Sequence, residues 1–175
     1  VLSGTCMLNE RHIAAPTASH IDDILYHTPN VSGRMDHLRA AILRPQLANR
    51  QAQAQAWNAR YQSVEAALAH TLGLTLISRP EEESYVGSSI QFLLLDWAAD
   101  RVENLLARCA SRGVELKWFG SKEPTGFTSR YDSWRYAPSS AMPKSDRVLA
   151  GVIDMRLPLT FSLEDCAVIG RIIRA

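Results

Sequence analysis

The chain has 175 residues, 46% of them hydrophobic and 21% charged, so it can bury a core and forms one globular domain or one lobe of a larger protein. The net charge of +1 gives no overall field to attract nucleic acid or anionic lipid, so neither is an expected partner. No stretch approaches the roughly 18 to 20 consecutive apolar residues of a membrane span, and we expect neither a membrane helix nor an export signal.

Residues 1–33 show little periodicity and read as loop and short helical turns. From Arg34 to about Leu72 the spacing of apolar residues becomes helical, and Pro45 is expected to bend or break this long helix. Gly73 is placed to end it as a C-cap glycine. One face of the helix is marked by Trp57, Tyr61, Val64, Leu68 and Leu72.

Four strands follow, interleaved with helices. The strands are predicted at 74–77, 87–95, 114–119 and 152–159, and the near-continuous apolar end of the second favours burial on both of its faces. Helices are predicted over 96–112, closed by Gly113, over 144–150, and from Ser162 onward. Ser162 and Asp165 have the spacing of a near capping box, with Cys166, Ile169, Ile172 and Ile173 as the apolar face. The fold class is α/β, as a small α+β lobe: a long N-terminal helix, then a small sheet with helices on one face, of split βαβ type.

The segment Pro29–Ala41 has the pattern of an anion site. Asn30, Ser32 and Gly33 form a small polar turn that runs into a helix beginning with Arg34. Such a turn presents backbone N–H groups and a cation to a phosphate or carboxylate.

Signals for catalysis within the chain are weak. Ser133 lacks the Gly-x-Ser-x-Gly setting, and no histidine pair at helical spacing indicates a metal site, so no metal is assigned. The run Glu81 to Glu83 is typical of a solvated loop. The cysteines Cys6, Cys109 and Cys166 lack metal-ligand spacing and are expected to be reduced thiols of a cytoplasmic protein.

A loop rich in cations and aromatic side chains spans residues 117–136. Such a loop between two strands either lines a site for an anionic ligand or packs its aromatic rings onto the domain, and the sequence favours neither. Arg156, at a strand end, either binds a carboxylate or pairs with an acidic neighbour. The candidate substrate-binding residues are Trp118, Phe119, Lys122, Arg130, Tyr131, Trp134 and Arg156.

Several segments, in this order, resemble the C-terminal half of the DegT family of pyridoxal-phosphate aminotransferases. They are Arg34 to Ile42, Gln46-Leu47, Arg60-Tyr61, the turn Arg112 to Glu115, and Arg156 to Leu159 before Ser162 to Asp165. The resemblance runs from about Pro29 to the end. It implies the C-terminal domain of a fold type I enzyme, with residues 1–33 abutting a large cofactor domain and residues 34–175 forming the long helix and small domain.

The resemblance also implies a function. Members transfer an amino group, here expected from glutamate, to a carbonyl of a sugar nucleotide or related acceptor, and they act as homodimers in which the corner before the long helix reaches the cofactor phosphate of the neighbouring subunit. Asn30 or Ser32, with Arg34, would make that contact. The family's Schiff-base lysine lies upstream of the matched region, so no catalytic residue is assigned in this chain, which by itself should be inactive. The lysines present are Lys117, Lys122 and Lys144.

Two departures from the family pattern concern the sites. The family has Asn-x-Arg where this chain has Ser32 two residues before Arg34, with Asn30 two residues earlier. A histidine of the family is replaced by Trp118-Phe119-Gly120, which predicts a different substrate. The alternative function is a ferredoxin-like module for ligand sensing or dimerisation, without catalysis.

Overall fold

The computed structural model describes residues 35–122, 131–138 and 140–175. These contain five α-helices and four strands. In chain order they are α1 (His37–Ala48), α2 (Arg50–Leu68), β1 (Thr75–Leu76), β2 (Ser89–Leu93), α3 (Ala99–Ala110), β3 (Lys117–Trp118), α4 (Pro143–Gly151), β4 (Val152–Arg156) and α5 (Leu163–Arg174), with a 3-10 turn at Tyr131–Ser133.

The chain divides into two compact units. The loop unit comprises Val1–Arg44 and Ser121–Met142, and the sheet unit comprises Pro45–Gly120 and Pro143–Ala175. The predicted boundary between residues 33 and 34 lies outside the described residues and stays a prediction.

The four strands form one antiparallel sheet in the order β1-β2-β4-β3. Phe92 pairs with Ile153 across β2 and β4, and Ile153 pairs with Trp118 across β4 and β3. Since β4 runs antiparallel to both neighbours, β2 and β3 are parallel to each other and are joined through α3. This is a split βαβ arrangement, and it confirms the predicted small sheet with helices on one face.

One face of the sheet carries the core. Ile90 and Phe92 alternate with the exposed Gln91 on β2, and Tyr61, Val64 and Leu68 of α2 are buried in the same cluster. Helices α3 and α5 add four further buried side chains, which are Val102, Cys109, Cys166 and Ile173. The core therefore lies between the sheet and α2, α3 and α5.

A close approach of two helices builds this core. Gly170 of α5 is buried, and a Cβ placed there would lie 2.4 Å from the Cβ of Ala67 on α2. The absence of a side chain at Gly170 lets α5 sit directly against α2.

The long helix differs from its prediction in three places. Pro45 lies inside α1 without ending it, and the interruption falls at Asn49 between α1 and α2. Helix α2 ends at Leu68 with Ala69 as its C-cap, so Gly73, at φ +78°, serves the following turn instead. Leu72 is consequently outside the helical face and is 94% exposed.

The strands are shorter than predicted, and β2 is buried on one face only. An antiparallel sheet can leave one face toward water, and Gln91 is exposed between the buried Ile90 and Phe92. Leu95, the last residue of the apolar run 92–95, lies in the turn after β2 and is 39% exposed. The start of α5 is confirmed: Ser162 Oγ accepts from the Asp165 N–H at 3.0 Å, and the Ser162 N–H donates to Asp165 Oδ2 at 2.8 Å.

Candidate functional site

The predicted phosphate corner lies outside the described residues, since Asn30, Ser32 and Arg34 all precede Met35. The structure describes the helix that follows. The side chains of Asp36 and Arg39 are paired at its start, and Leu38 and Ile42 on α1 are 71% and 53% exposed. Helix α1 has no buried residue.

Trp118 is held by the sheet unit itself. Its indole N–H donates to the carbonyl oxygen of Ala150 at 2.8 Å, and its side chain packs against the core cluster. A Cβ at Gly120 would lie 2.6 Å from the indole nitrogen and 2.8 Å from the Ala150 Cα, so only glycine fits beside this contact. The indole joins β3 to α4, and its contact with a substrate stays a prediction.

Phe119 and Lys117 lie on alternate positions and therefore share the other face of the sheet. The Phe119 N–H donates to the Val152 carbonyl oxygen at 3.0 Å, which extends the pairing of β3 with β4 by one residue. The Lys117 ammonium nitrogen lies 5.7 Å from the centre of the Phe119 ring, within the range of a cation–π contact.

Three further predicted substrate residues belong to the loop unit. Lys122 is exposed, Tyr131 begins the 3-10 turn and is half-buried, and the Trp134 ring stacks on Tyr136 with 5.8 Å between centroids and 15° between planes. Arg130 lies outside the described residues. Trp134 and Tyr136 are 37% and 41% exposed, so these two aromatic side chains lie at the surface.

Arg156 ends β4 and is exposed, in register with Ser89 of β2. Over the described ranges it makes no ion pair with an acidic neighbour. Two residues before it, on the same face, stands Asp154, which sequence reasoning missed. Asp154 is only 9% exposed, and it accepts from the Gln91 side-chain amide at 3.2 Å.

The register of three strands brings Gln91, Asp154 and Lys117 side by side. We name these three residues the polar row. The alternation of Ile153, Asp154 and Met155 was a signal for one polar position in an apolar strand, but the partners of Asp154 depend on strand register, which the sequence does not specify.

Neither of the two described cysteines has the lowered pKa of a catalytic thiol. Burial raises the pKa of both Cys109 and Cys166 above the ordinary value, so both thiols stay protonated at neutral pH. Across the described ranges, no group of three or more histidine, cysteine, aspartate or glutamate residues is arranged to hold a metal ion. In the same ranges, no helix has the length and apolar character to cross a bilayer.

Comparison with known proteins identifies a family. The model of the DegT/DnrJ/EryC1/StrS aminotransferase family matches residues 11–174. No curated protein matches the chain.

Solved structures share the fold at low identity. An aminotransferase TlmJ from Streptoalloteichus hindustanus is 15% identical with a TM-score of 0.64, over 84% of this chain and 38% of the other. A 3-amino-5-hydroxybenzoic acid synthase is 17% identical with a TM-score of 0.64, over 94% and 41%. DesV of S. venezuelae, in complex with a ketimine intermediate, is 16% identical with a TM-score of 0.63, over 95% and 42%. The chain therefore spans about two fifths of the length of these structures.

Proposed function

The chain belongs to the DegT/DnrJ/EryC1/StrS aminotransferase family, and from that premise we propose that it is the C-terminal part of a pyridoxal-phosphate-dependent aminotransferase. The whole protein transfers an amino group from glutamate to a carbonyl of a sugar nucleotide or related acceptor. The family match over residues 11–174 is the observation that carries this proposal. The split βαβ sheet, which resembles the corresponding part of three aminotransferase structures, supports it.

Pyridoxal phosphate, when bound, supplies an aldehyde and an electron-withdrawing ring that carry the amino group between donor and acceptor. This chain's proposed share of the cofactor site is Arg34 with Asn30 or Ser32, which would bind the phosphate of a neighbouring subunit. A turn at a helix start supplies N–H donors and a cation to such a phosphate.

The reacting lysine is proposed to lie outside this chain. Lys122 and Lys144 are exposed to water, and a Schiff-base lysine is usually activated by desolvation or by a neighbouring cation. Lys117 is half-buried, and none of the three lysines stands in the serine-x-x-lysine setting of the family's Schiff-base lysine.

Substrate contacts are proposed for two groups of residues. In the sheet unit they are Trp118, Phe119 and Arg156, and in the loop unit they are Lys122, Arg130, Tyr131 and Trp134. Cations and aromatic rings suit an anionic ligand with a planar base or a sugar. The whole protein is also proposed to be cytoplasmic. It is proposed to be a homodimer, because the proposed phosphate contact would be made across a subunit boundary.

The experiment uses the full-length polypeptide that contains this chain. We expect it to bind pyridoxal phosphate with visible absorbance and to produce 2-oxoglutarate from glutamate when an acceptor is present. Asn30→Ala and Ser32→Ala are measured separately, and the residue that contacts the phosphate should weaken cofactor binding about tenfold on substitution. Asn49→Ala, at an exposed asparagine between α1 and α2, is the matched control. A full-length protein that never binds the cofactor contradicts the proposal.

A second candidate is a ferredoxin-like module for ligand sensing or dimerisation. The specific observation in its favour is the sheet, because β2, β3 and β4 with α3 and α5 form most of a split βαβ sandwich. It predicts saturable binding of a small amino acid by the protein without cofactor and no amino transfer. The two functions are therefore separated by one assay with and without pyridoxal phosphate.

A further inference from the structure

The face of the sheet opposite the core carries the polar row. Gln91 on β2 and Lys117 on β3 both stand in register with Asp154 on the central strand β4. Directly paired residues of antiparallel strands point to the same face and lie about 4.5 to 5.5 Å apart at Cβ. The three side chains therefore form one continuous polar strip across three strands.

Asp154 is the buried member of this strip. It is 9% exposed, and its Oδ1 accepts from the Gln91 amide at 3.2 Å. A neutral amide compensates only part of the cost of desolvating a carboxylate, for which a cation is the usual partner. Asp154 is therefore set to accept from a further donor or to interact with a positive charge.

Lys117 is positioned to serve as that cation but does not pair with Asp154. In the part of the chain that the structure covers, no ion pair within 4.0 Å includes Lys117, and its ammonium lies over the Phe119 ring instead. Arg156 stands on the same face, two residues beyond Asp154, and is exposed. The face thus presents two cations around one buried carboxylate.

We propose that the polar row is a specificity-determining site for the substrate of the whole enzyme. Lys117 binds an anionic group, and Asp154 selects a ligand that carries an ammonium or another hydrogen-bond donor beside that group. The inference rests on the proposed function. Two substrates of such an enzyme have this chemistry: an amino-acid donor, with a carboxylate beside an ammonium, and a sugar nucleotide, with phosphates beside hydroxyl groups.

Lys117 and Asp154 have different roles because their charges are opposite. Lys117 alone would attract any anion, including a bare dicarboxylate. Asp154 opposes a second negative charge at the same place and favours a positive one, while Gln91 holds the carboxylate in its orientation. The row therefore prefers a ligand of mixed polarity over one that is only anionic.

The test is calorimetric titration of the full-length protein with L-glutamate and, separately, with uridine diphosphate glucose. Lys117→Met should raise the Kd of at least one probe about tenfold or more, since it removes a charge-assisted hydrogen bond, and Lys117→Arg should restore much of the affinity. Lys144→Met removes an exposed lysine from the first turn of α4 and should leave both Kd values unchanged. The probe whose Kd changes shows whether the polar row binds the amino-acid donor or the sugar nucleotide.

Asp154→Asn tests the preference of the protein for one ligand over another, which would not change if Asp154 had only a structural role. Glutarate is glutamate without its ammonium, so its Kd reports anion binding alone. If glutamate is the responding probe, Asp154→Asn should lower the preference for glutamate over glutarate about threefold or more. If the sugar nucleotide responds, uridine diphosphate takes the place of glutarate in the same comparison. A thermal melt of each variant verifies that it is folded, and Lys117→Gln replaces Lys117→Met if the latter does not fold.

Failure of this inference is distinguishable from failure of the proposed function. If the protein binds pyridoxal phosphate and transfers amino groups, but the substitutions at Lys117 and Asp154 leave the Kd of both probes unchanged, the polar row is not a substrate site. Wild-type protein that binds neither probe also overturns the inference. A protein that binds a probe through Lys117 yet shows no amino transfer contradicts the proposed function, and the polar row is then a ligand-binding site but not a substrate site.

Discussion

Arg60 on α2 donates through Nε to the carbonyl oxygen of Phe161, 2.6 Å away and 101 residues later in the chain. The same guanidinium donates through Nη2 to Leu159 at 2.9 Å and through Nη1 to Ala56 at 2.8 Å. The two long-range hydrogen bonds fasten the turn between β4 and α5 to α2. Since α2 and α5 build much of the core, Arg60 fixes the relative position of two of its principal elements.

Arg60→Lys should destabilise the protein by about 2 kcal/mol, because lysine keeps the charge but cannot reach both carbonyl oxygens with a planar fork. Denaturant unfolding followed by circular dichroism measures this change. Arg171→Lys, at an exposed arginine on α5, is the matched control and should alter the free energy of unfolding by less than about 0.5 kcal/mol. Equal losses for the two variants would show that the contacts of Arg60 do not stabilise the fold.

Asn58→Asp should cost about 1 to 3 kcal/mol of stability. The Asn58 amide donates to the Tyr85 carbonyl oxygen at 3.0 Å, and its oxygen accepts from the Gly87 N–H at 2.7 Å. Aspartate keeps the acceptor but replaces the donor with an oxygen that repels the Tyr85 carbonyl group. Asn104→Asp on the exposed side of α3 makes the same chemical change without these partners. The difference between the urea unfolding midpoints of the two variants therefore measures the contribution of the Asn58 hydrogen bonds.

Gly170→Ala should destabilise the protein by about 1 to 3 kcal/mol, although alanine is the better helix former. The new Cβ would lie 2.4 Å from the Cβ of Ala67, so α2 and α5 must separate. Adding Ala67→Gly removes the opposing methyl group, and the double variant should regain part of the loss. A double-mutant cycle measured by thermal unfolding gives the coupling, and additive effects would mean that the two helices do not approach this closely.

The stability contribution of the α5 cap should depend on pH. Hydrogen bonds from the Ser162 backbone N–H, and then from its side chain, lower the pKa of Asp165 below its ordinary value. A carboxyl with a lowered folded-state pKa stabilises the fold above its unfolded-state pKa, about 3.9, and this contribution is lost as the pH falls through the folded-state value. Wild type should therefore be more stable than Asp165→Asn at pH 7, and the difference should shrink below about pH 4.

Thermal unfolding between pH 7 and the acid limit of solubility measures that difference. Glu164→Gln neutralises the neighbouring acid, which is exposed and lies in the same first turn. It should show a smaller change over the same pH range, because Glu164 is not part of the capping box. A difference in stability between wild type and Asp165→Asn that stays constant through pH 4 contradicts the role assigned to Asp165.

Features that depend on a few neighbouring residues were predicted correctly from the sequence. The capping box at Ser162 and Asp165 works through contacts three residues apart, and Cys166 and Ile173 are buried on one side of the helix that it begins. Glu81 to Glu83 are exposed, which agrees with their interpretation as a solvated run. The sequence did not indicate that Glu83 also binds Arg79 at 2.7 Å, or that Arg79 lies 4.4 Å from the centre of the Tyr85 ring.

The sequence by itself determined most of the helix faces and the small sheet with helices on one side, because periodicity and caps are local properties of the chain. Its short motifs, taken in order, carried the resemblance to the family. The tertiary structure decided how Pro45 is accommodated within α1, which single face of β2 is buried, and which residues stand beside Asp154. Those outcomes depend on strand register and helix packing between segments up to about a hundred residues apart, as between Arg60 and Phe161. Contacts at that separation leave no periodic trace in the sequence, so the polar row became visible only when three strands were brought into register.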